Sequence, residues 1–252
     1  MIYITGDTHG DVTRFSMDNF PEQKTFTDQN ENYVIICGDF GLVWNYLVET
    51  HSEKYWLNWL EAKKFTTLFV DGNHEAFNRL YDYPVKEWNG GLVHEIRPHV
   101  LHLMRGQVFN IDGCTIFIFG GARSHDIENL LDLDDPDFTE KQKQLRKDNL
   151  FYRVKGISWW EEEMPTQEEM QIGLDNLENN NWKVDYIITH DCTSSTKALY
   201  SHGSFKTDEL NAYLEEIKYK CEFKKWFFGH LHDDKQINDK EILLYHQIVR
   251  IW

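Results

Sequence analysis

Six short apolar runs punctuate the chain: Ile2-Tyr3-Ile4-Thr5, Tyr33-Val34-Ile35-Ile36-Cys37, Thr67-Leu68-Phe69-Val70, Thr115-Ile116-Phe117-Ile118-Phe119, Tyr186-Ile187-Ile188-Thr189 and Trp226-Phe227-Phe228. They are rich in β-branched and aromatic residues. Runs this short read as strands buried on both faces. Helical patterns fall between them. Over His51–Lys64, Tyr55, Trp56, Trp59 and Leu60 recur at helical spacing. Thr166-Gln167-Glu168-Glu169 is a capping box ahead of Met170, Leu174 and Leu177. Thr207-Asp208 caps a segment with Leu210, Tyr213, Leu214 and Ile217 on one face. Strands alternating with helices predict an α/β fold. The stretch Glu241–Trp252 alternates and predicts a closing strand or hairpin. No internal repeat of ~20–50 residues is present, so one domain over 1–252 is expected.

One segment breaks the rhythm. Residues ~124–165 carry no strand pattern and run acidic (Asp132, Asp134, Asp135, Asp137), then basic (Lys141, Lys143, Arg146, Lys147, Arg153, Lys155), then aromatic (Trp159, Trp160). Loops longer than ~12–15 residues are commonly functional. This one reads as a lid-like insertion after Gly120-Gly121. The competing reading is a solvated surface helix over Thr139–Asn149.

Composition narrows the function. The 252 residues are 41% hydrophobic and 15% aromatic, which excludes a disordered chain. The formal net charge of −16 repels polyphosphate at long range, so long nucleic acid is disfavoured as a partner. A small phosphorylated substrate remains compatible if cations sit in the site. Cys37, Cys114, Cys192 and Cys221 are widely spaced without a CxxC pair, which fits a reducing cytoplasm. No apolar run approaches a membrane span, and Met1–Thr5 lacks the basic-then-apolar build of a signal peptide. The oligomeric state is not encoded in any pattern found.

Ligands in open α/β sheets sit beyond the carboxyl ends of strands. Five of the six apolar runs end in metal-type side chains: Gly6-Asp7-Thr8-His9-Gly10, Gly38-Asp39, Gly72-Asn73-His74-Glu75, His190-Asp191 and Gly229-His230-Leu231-His232. A lone histidine at a strand end is ordinarily structural. Five such ends in order point to a shared metal site. Carboxylate, imidazole and amide oxygen together suit manganese, iron, zinc or related ions and exclude a thiolate centre.

The ordered set GDTHG (6–10), GDFG (38–41), GNHE (72–75), TH (189–190) and GHLH (229–232) resembles the five motifs of the calcineurin-like metallophosphoesterases. The resemblance implies two packed mixed β-sheets flanked by helices, and two divalent transition-metal ions. Manganese is the first expectation, with iron, zinc, nickel or cobalt as alternatives. It implies that Asp7, His9 and His232 hold one ion, that Asp39 bridges, and that Asn73, His190 and His230 complete the second site. It makes His74 the substrate-facing catalytic histidine. The reaction so implied is hydrolysis of a phosphomonoester or small phosphodiester by a hydroxide bridging the ions. A phosphodiesterase or nuclease acting on nucleotides or nucleic-acid ends is the alternative, and a non-catalytic scaffold of the same fold is a third.

The chain departs from the protein-phosphatase branch, whose GDxVDRG stretch supplies a phosphate-clamping arginine. Here the residues are Gly38-Asp39-Phe40-Gly41-Leu42-Val43-Trp44. Arg123, and Arg153 in the insertion, are the candidate substrate-binding cations, since arginine grips phosphate bidentately. For Arg123 the competing reading is a surface ion pair. His125 and Asp126 share its loop without an assignable role. Ser194-Ser195-Thr196-Lys197 reads as a turn and helix cap, and Cys37 and Cys192 as buried small hydrophobes.

Overall fold

The computed structural model describes residues 1–125 and 127–251. The first half of the chain lays down parallel strands β1 (Ile2–Thr5), β2 (Tyr33–Ile36) and β3 (Thr66–Phe69), with helix α1 (His51–Glu61) before β3. The short helix α2 (Phe77–Leu80) leads into an antiparallel run of β4 (Val85–Trp88), β5 (Gly91–Arg97) and β6 (Val100–Leu103). A hairpin, β7 (Val108–Ile111) and β8 (Cys114–Phe119), opens the second half. Then follow β9 (Leu130–Leu131), α3 (Phe138–Lys147), β10 (Arg153–Val154), α4 (Gln167–Asn179), β11 (Tyr186–Thr189), α5 (Ser194–Ser201) and α6 (Glu209–Lys220). β12 (Lys225–Phe228), β13 (Lys235–Gln236), β14 (Glu241–Leu243) and β15 (Ile248–Arg250) complete the chain.

These strands form two large mixed sheets, ordered β15-β1-β2-β3-β6-β5-β4 and β13-β14-β12-β11-β8-β7. Successive side chains of a strand point to opposite faces, and this alternation sorts the apolar residues into three layers. Ile2, Ile4, Ile35 and Leu68 of the first sheet meet Ile116, Ile118, Ile188 and Phe227 of the second in a central core. Tyr3, Val34, Ile36 and Phe69 face outward onto α1 residues Leu57 and Leu60. Phe117, Phe119 and Ile187 face outward onto Leu177 of α4 and Leu210, Leu214 and Ile217 of α6. The result is a helix–sheet–sheet–helix sandwich, the expected fold class. Among the described residues, no helix is long and apolar enough to cross a membrane.

Helix starts follow local chemistry. Thr50 and Glu53 form a reciprocal capping box at α1, Thr166 and Glu169 form another at α4, and Asp208 caps α6 with Asn211. Of the closing strand or hairpin expected over Glu241–Trp252, the strand alternative holds, as two strands that do not pair with each other: β14 pairs parallel with β12 in the second sheet, and β15 pairs antiparallel with β1 in the first. The chain crosses between sheets because each edge offers an open ladder to a different short strand; Trp252 lies outside the described residues. One expectation needs correction: the insertion does contain strand. Leu130–Leu131 and Arg153–Val154 pair in parallel, a two-residue ladder too short for any periodic signal. Between them lies α3, which buries no side chain, close to the solvated helix read over Thr139–Asn149.

Candidate metal centre

The parallel strands β1, β2 and β3 run side by side in one sheet, and β8, β11 and β12 in the other. Their carboxyl ends therefore open on the same edge of the sandwich, where the loops carrying Asp7, His9, Asp39, Asn73, His190, His230 and His232 converge. These loops are stitched by main chain: the His9 and Gly10 N–H groups donate to the carbonyls of Asp39 (2.8 Å) and Phe40 (2.9 Å). The stitching forces unusual backbone. His9, Asp39, His230 and His232 all have positive φ, at 45°, 45°, 64° and 50°. Non-glycine residues pay for that conformation, and it persists where the surroundings over-determine it, commonly at functional sites. Close approach explains two glycines. A Cβ at Gly38 would collide with the His190 imidazole, and one at Gly229 with the Asp7 carboxylate.

One ligand atom each from Asp7, His9, Asp39 and His232 lies within 4.8 Å of the others. His9 Nε2 is 2.9 Å from His232 Nε2, and His232 Nε2 is 3.2 Å from Asp7 Oδ2. His9 Nε2 is 3.7 Å from Asp39 Oδ2. On the other oxygen of Asp39 a second convergence begins. His190 Nδ1 donates to the Cys37 carbonyl at 2.8 Å, so its Nε2 carries the lone pair. That Nε2 lies 3.2 Å from Asn73 Oδ1 and 3.6 Å from Asp39 Oδ1. His230 packs its ring 5.0 Å from that of His190. The structure thus brings all seven expected ligands to one place.

The supports explain how each donor is aimed. The His230 N–H donates to Asp7 Oδ2 at 3.1 Å, and Arg14 Nη2 donates to the Asp7 carbonyl at 2.7 Å. The His74 N–H donates to Asp39 Oδ1 at 2.8 Å. Asn73 Nδ2 donates to Ser124 Oγ (3.1 Å), whose hydroxyl donates to Glu163 Oε2 (2.6 Å). This chain settles the Asn73 amide with its oxygen turned inward, toward His190.

Electrostatics show that the cluster wants positive charge. Burial would raise the Asp39 carboxyl, but His190, His74 and His9 hold it below the usual range. Burial would lower His190, yet Asp39 and Asp7 outweigh it and raise its affinity for a proton. His230, by contrast, is pushed down to about 3 by burial and stays neutral. An inward-facing amide oxygen, two buried carboxylates and the imidazoles concentrate oxygen and nitrogen donors that a proton or a cation can join. The donor set therefore fits divalent metal ions, with oxygen and nitrogen ligands only.

The remaining candidates fall differently. His74 is half-buried, its ring 5.6 Å from His9 and 5.5 Å from Trp44, one residue beyond Asn73 and beside the cluster. Arg123 is engaged at the surface: Nη2 bonds Glu209 Oε1 at 2.7 Å, and Nε lies 3.5 Å from Asp208 Oδ2. This is the ion pair that competed with a substrate role. Arg153 sits on β10 with its guanidinium 4.9 Å from the Phe151 ring centre. Asp126 lies outside the described residues.

Four participants were not legible. His125 places Nε2 3.1 Å from His230 Nε2. Ser124 and Glu163 hold Asn73 from the two ends of the insertion, and Trp160 packs edge-on against Trp44. Serine, glutamate and tryptophan in a loop carry no motif; only their spacing to Asn73 in space gives them meaning.

A sandwich of two mixed sheets thus carries, at the carboxyl ends of its parallel strands, a mixed oxygen–nitrogen cluster that could hold metal ions. The calcineurin-like phosphoesterase family matches residues 1–234, and the chain belongs to it. No curated protein matches the chain. Membership implies phosphoester hydrolysis, in a family that is typically dinuclear.

Proposed function

We propose that the protein hydrolyses small phosphate monoesters, or small diesters, with two divalent cations, manganese foremost. The observation that carries this reading is the four-donor cluster of Asp7, His9, Asp39 and His232, with His190 and Asn73 converging on the far oxygen of Asp39. When bound, two cations would lower the pKa of a water toward neutrality and neutralise charge on phosphoryl oxygens.

The protein's own groups do the rest. Asp39, oriented by the His74 N–H, presents one oxygen to each half of the site. Asn73, held by Ser124 and Glu163, supplies a neutral oxygen, which limits the anionic charge that a phosphate must face. With Asn73 assigned to the ligand set, the adjacent His74 faces the substrate instead. Its imidazole serves as the proton donor to the leaving oxygen. The insertion closes over the site from both ends and selects the substrate, with Arg123 exchanging Glu209 for a phosphoryl oxygen and Arg153 as a second cation. The −16 charge supports a small substrate rather than long nucleic acid. Four buried, unpaired cysteines support a reducing, cytoplasmic setting.

The test is turnover after chelation, restored by Mn²⁺, on a matched nitrophenyl ester and alkyl ester. His74→Ala should keep its metal while losing ~10²–10⁴-fold on the alkyl ester and markedly less on the nitrophenyl ester, whose leaving group needs no proton. Equal losses on both would refute the proton-donor role. Hydrolysis of neither ester by the metal-loaded protein would refute the activity.

A further inference from the structure

Beside the ligand cluster lies a small cavity of about 220 Å³ lined by His9, Gly41, Trp44 and His74. It falls below the ~300–1,000 Å³ of drug-sized ligand sites, so it suits one compact group rather than a long chain. Its floor is an imidazole of the cluster, and its wall is an indole.

Trp44 is placed there with unusual care. The two residues before it, Leu42 and Val43, are buried in the core, while Trp44 remains 37% exposed. Its backbone is pinned: the N–H groups of Trp44 and Asn45 both donate to Glu53 Oε1, at 2.7 and 3.0 Å. Glu53 is itself buried at the start of α1 and held by Arg79 at 3.0 Å. Its ring is propped edge-on by Trp160, 6.4 Å away at 67°, and Trp160 is 4% exposed. Trp44 itself lines the cavity, its ring 5.5 Å from that of His74. Leaving a large indole in water forgoes its burial free energy. Holding it rigid removes the ordering cost that a ligand would otherwise pay.

We propose that Trp44 is a preformed stacking wall for the organic half of the substrate, and that this half carries a planar aromatic ring. The inference deepens the phosphoesterase reading and rests on it. Aromatic stacking adds directional attraction to plain apolar contact, so a flat ring outbinds an alicyclic ring of the same size. The ring comes either from an aryl or benzyl alcohol or from a nucleobase carried on a sugar.

Non-hydrolysable phosphonates test this apart from catalysis. Calorimetry on the Mn²⁺-loaded protein would compare benzylphosphonate with cyclohexylmethylphosphonate, and a nucleoside 5′-phosphonate with the same sugar phosphonate lacking its base. The aromatic member of at least one pair should bind ~3–10-fold tighter. Trp44→Leu should erase that ratio and Trp44→Phe should keep most of it, both with wild-type metal content and thermal unfolding. A preference in the benzyl pair alone assigns an aryl ester, and one in the nucleoside pair a nucleotide. Equal affinities in both pairs, a ratio that survives Trp44→Leu, or no binding of any phosphonate would overturn the proposal. A phosphonate preference without hydrolysis of any ester would sink the phosphoesterase reading and leave the wall standing.

Discussion

Lys197 is the most informative place to break the frame behind the metal centre. It lies on α5, is 1% exposed, and donates from Nζ to Asp191 Oδ2 at 2.7 Å and to Asn211 Oδ1 at 3.1 Å. Asp191 follows His190 directly and is equally buried. Burial would raise its carboxyl, but the Lys197 charge and the Cys192 N–H hold it well below the usual range. Lys197→Met keeps the aliphatic stem and removes the charge. Asp191 then becomes a buried carboxylate without its cation, still served by the Cys192 N–H at 2.7 Å and Asn211 Nδ2 at 2.9 Å. Removing one partner of a buried pair costs ~3–5 kcal/mol. The two surviving donors place this case at about 3 kcal/mol. For a chain of this size 1 kcal/mol is worth ~2–4 °C, so calorimetry should show Tm falling by ~6–12 °C. Asp191→Asn combined with Lys197→Met removes both charges and should recover most of the loss, leaving a coupling of at least ~2 kcal/mol. The sign with pH follows. Because the folded pKa of Asp191 is depressed, the pair's stability is present above the ordinary carboxylate pKa of ~3.9 and is lost as pH falls below it. Wild type and Lys197→Met should therefore converge in acid. A Tm drop under ~2 °C at neutral pH, or a double variant no better than the single one, would refute the argument.

Two further outcomes are expected. Ser124→Ala frees the Asn73 amide to turn its nitrogen inward, so metal affinity measured by titration should weaken ~10–100-fold with little change in unfolding; unchanged affinity would mean that Asn73 is aimed by something else. His94 is buried against His102, Nδ1 to Nδ1 at 3.0 Å, and burial followed by that neighbour pushes it down to about 4. Its depressed folded pKa gives stability that is present above ~6.5 and lost as pH falls toward 4, up to ~3 kcal/mol at ~1.4 kcal/mol per pKa unit. His94→Gln should flatten the denaturation midpoint over that window, and a parallel decline in both proteins would discount His94 as the acid-sensitive group.

The sequence alone determined the parallel strands, the capped helices and the candidate ligand residues, because each is a local statement. A four-residue apolar run needs no partner to be read, Thr166 and Glu169 cap a helix across three residues, and a strand ending in Gly-Asp or Gly-His announces where its side chains emerge. Tertiary structure decided everything that depends on what arrives from elsewhere. β4 alternates only between exposed and half-buried positions, so it shows no buried face and its place beside β5 was decided by the fold. The last strands went to different sheets because the open edges, not their own residues, chose the partners. Lys197 reads as part of a helix cap until Asp191 is beside it. Arg123 could be a phosphate clamp or half of a surface ion pair by sequence alone, and only the fold shows its guanidinium beside Glu209. Ser124 and Glu163, 39 residues apart, acquire a role only because the insertion folds its two ends together under Asn73. Ligand identity is written in residue type, whereas the aiming of a ligand depends on distances between segments that only the folded sandwich brings within hydrogen-bond reach.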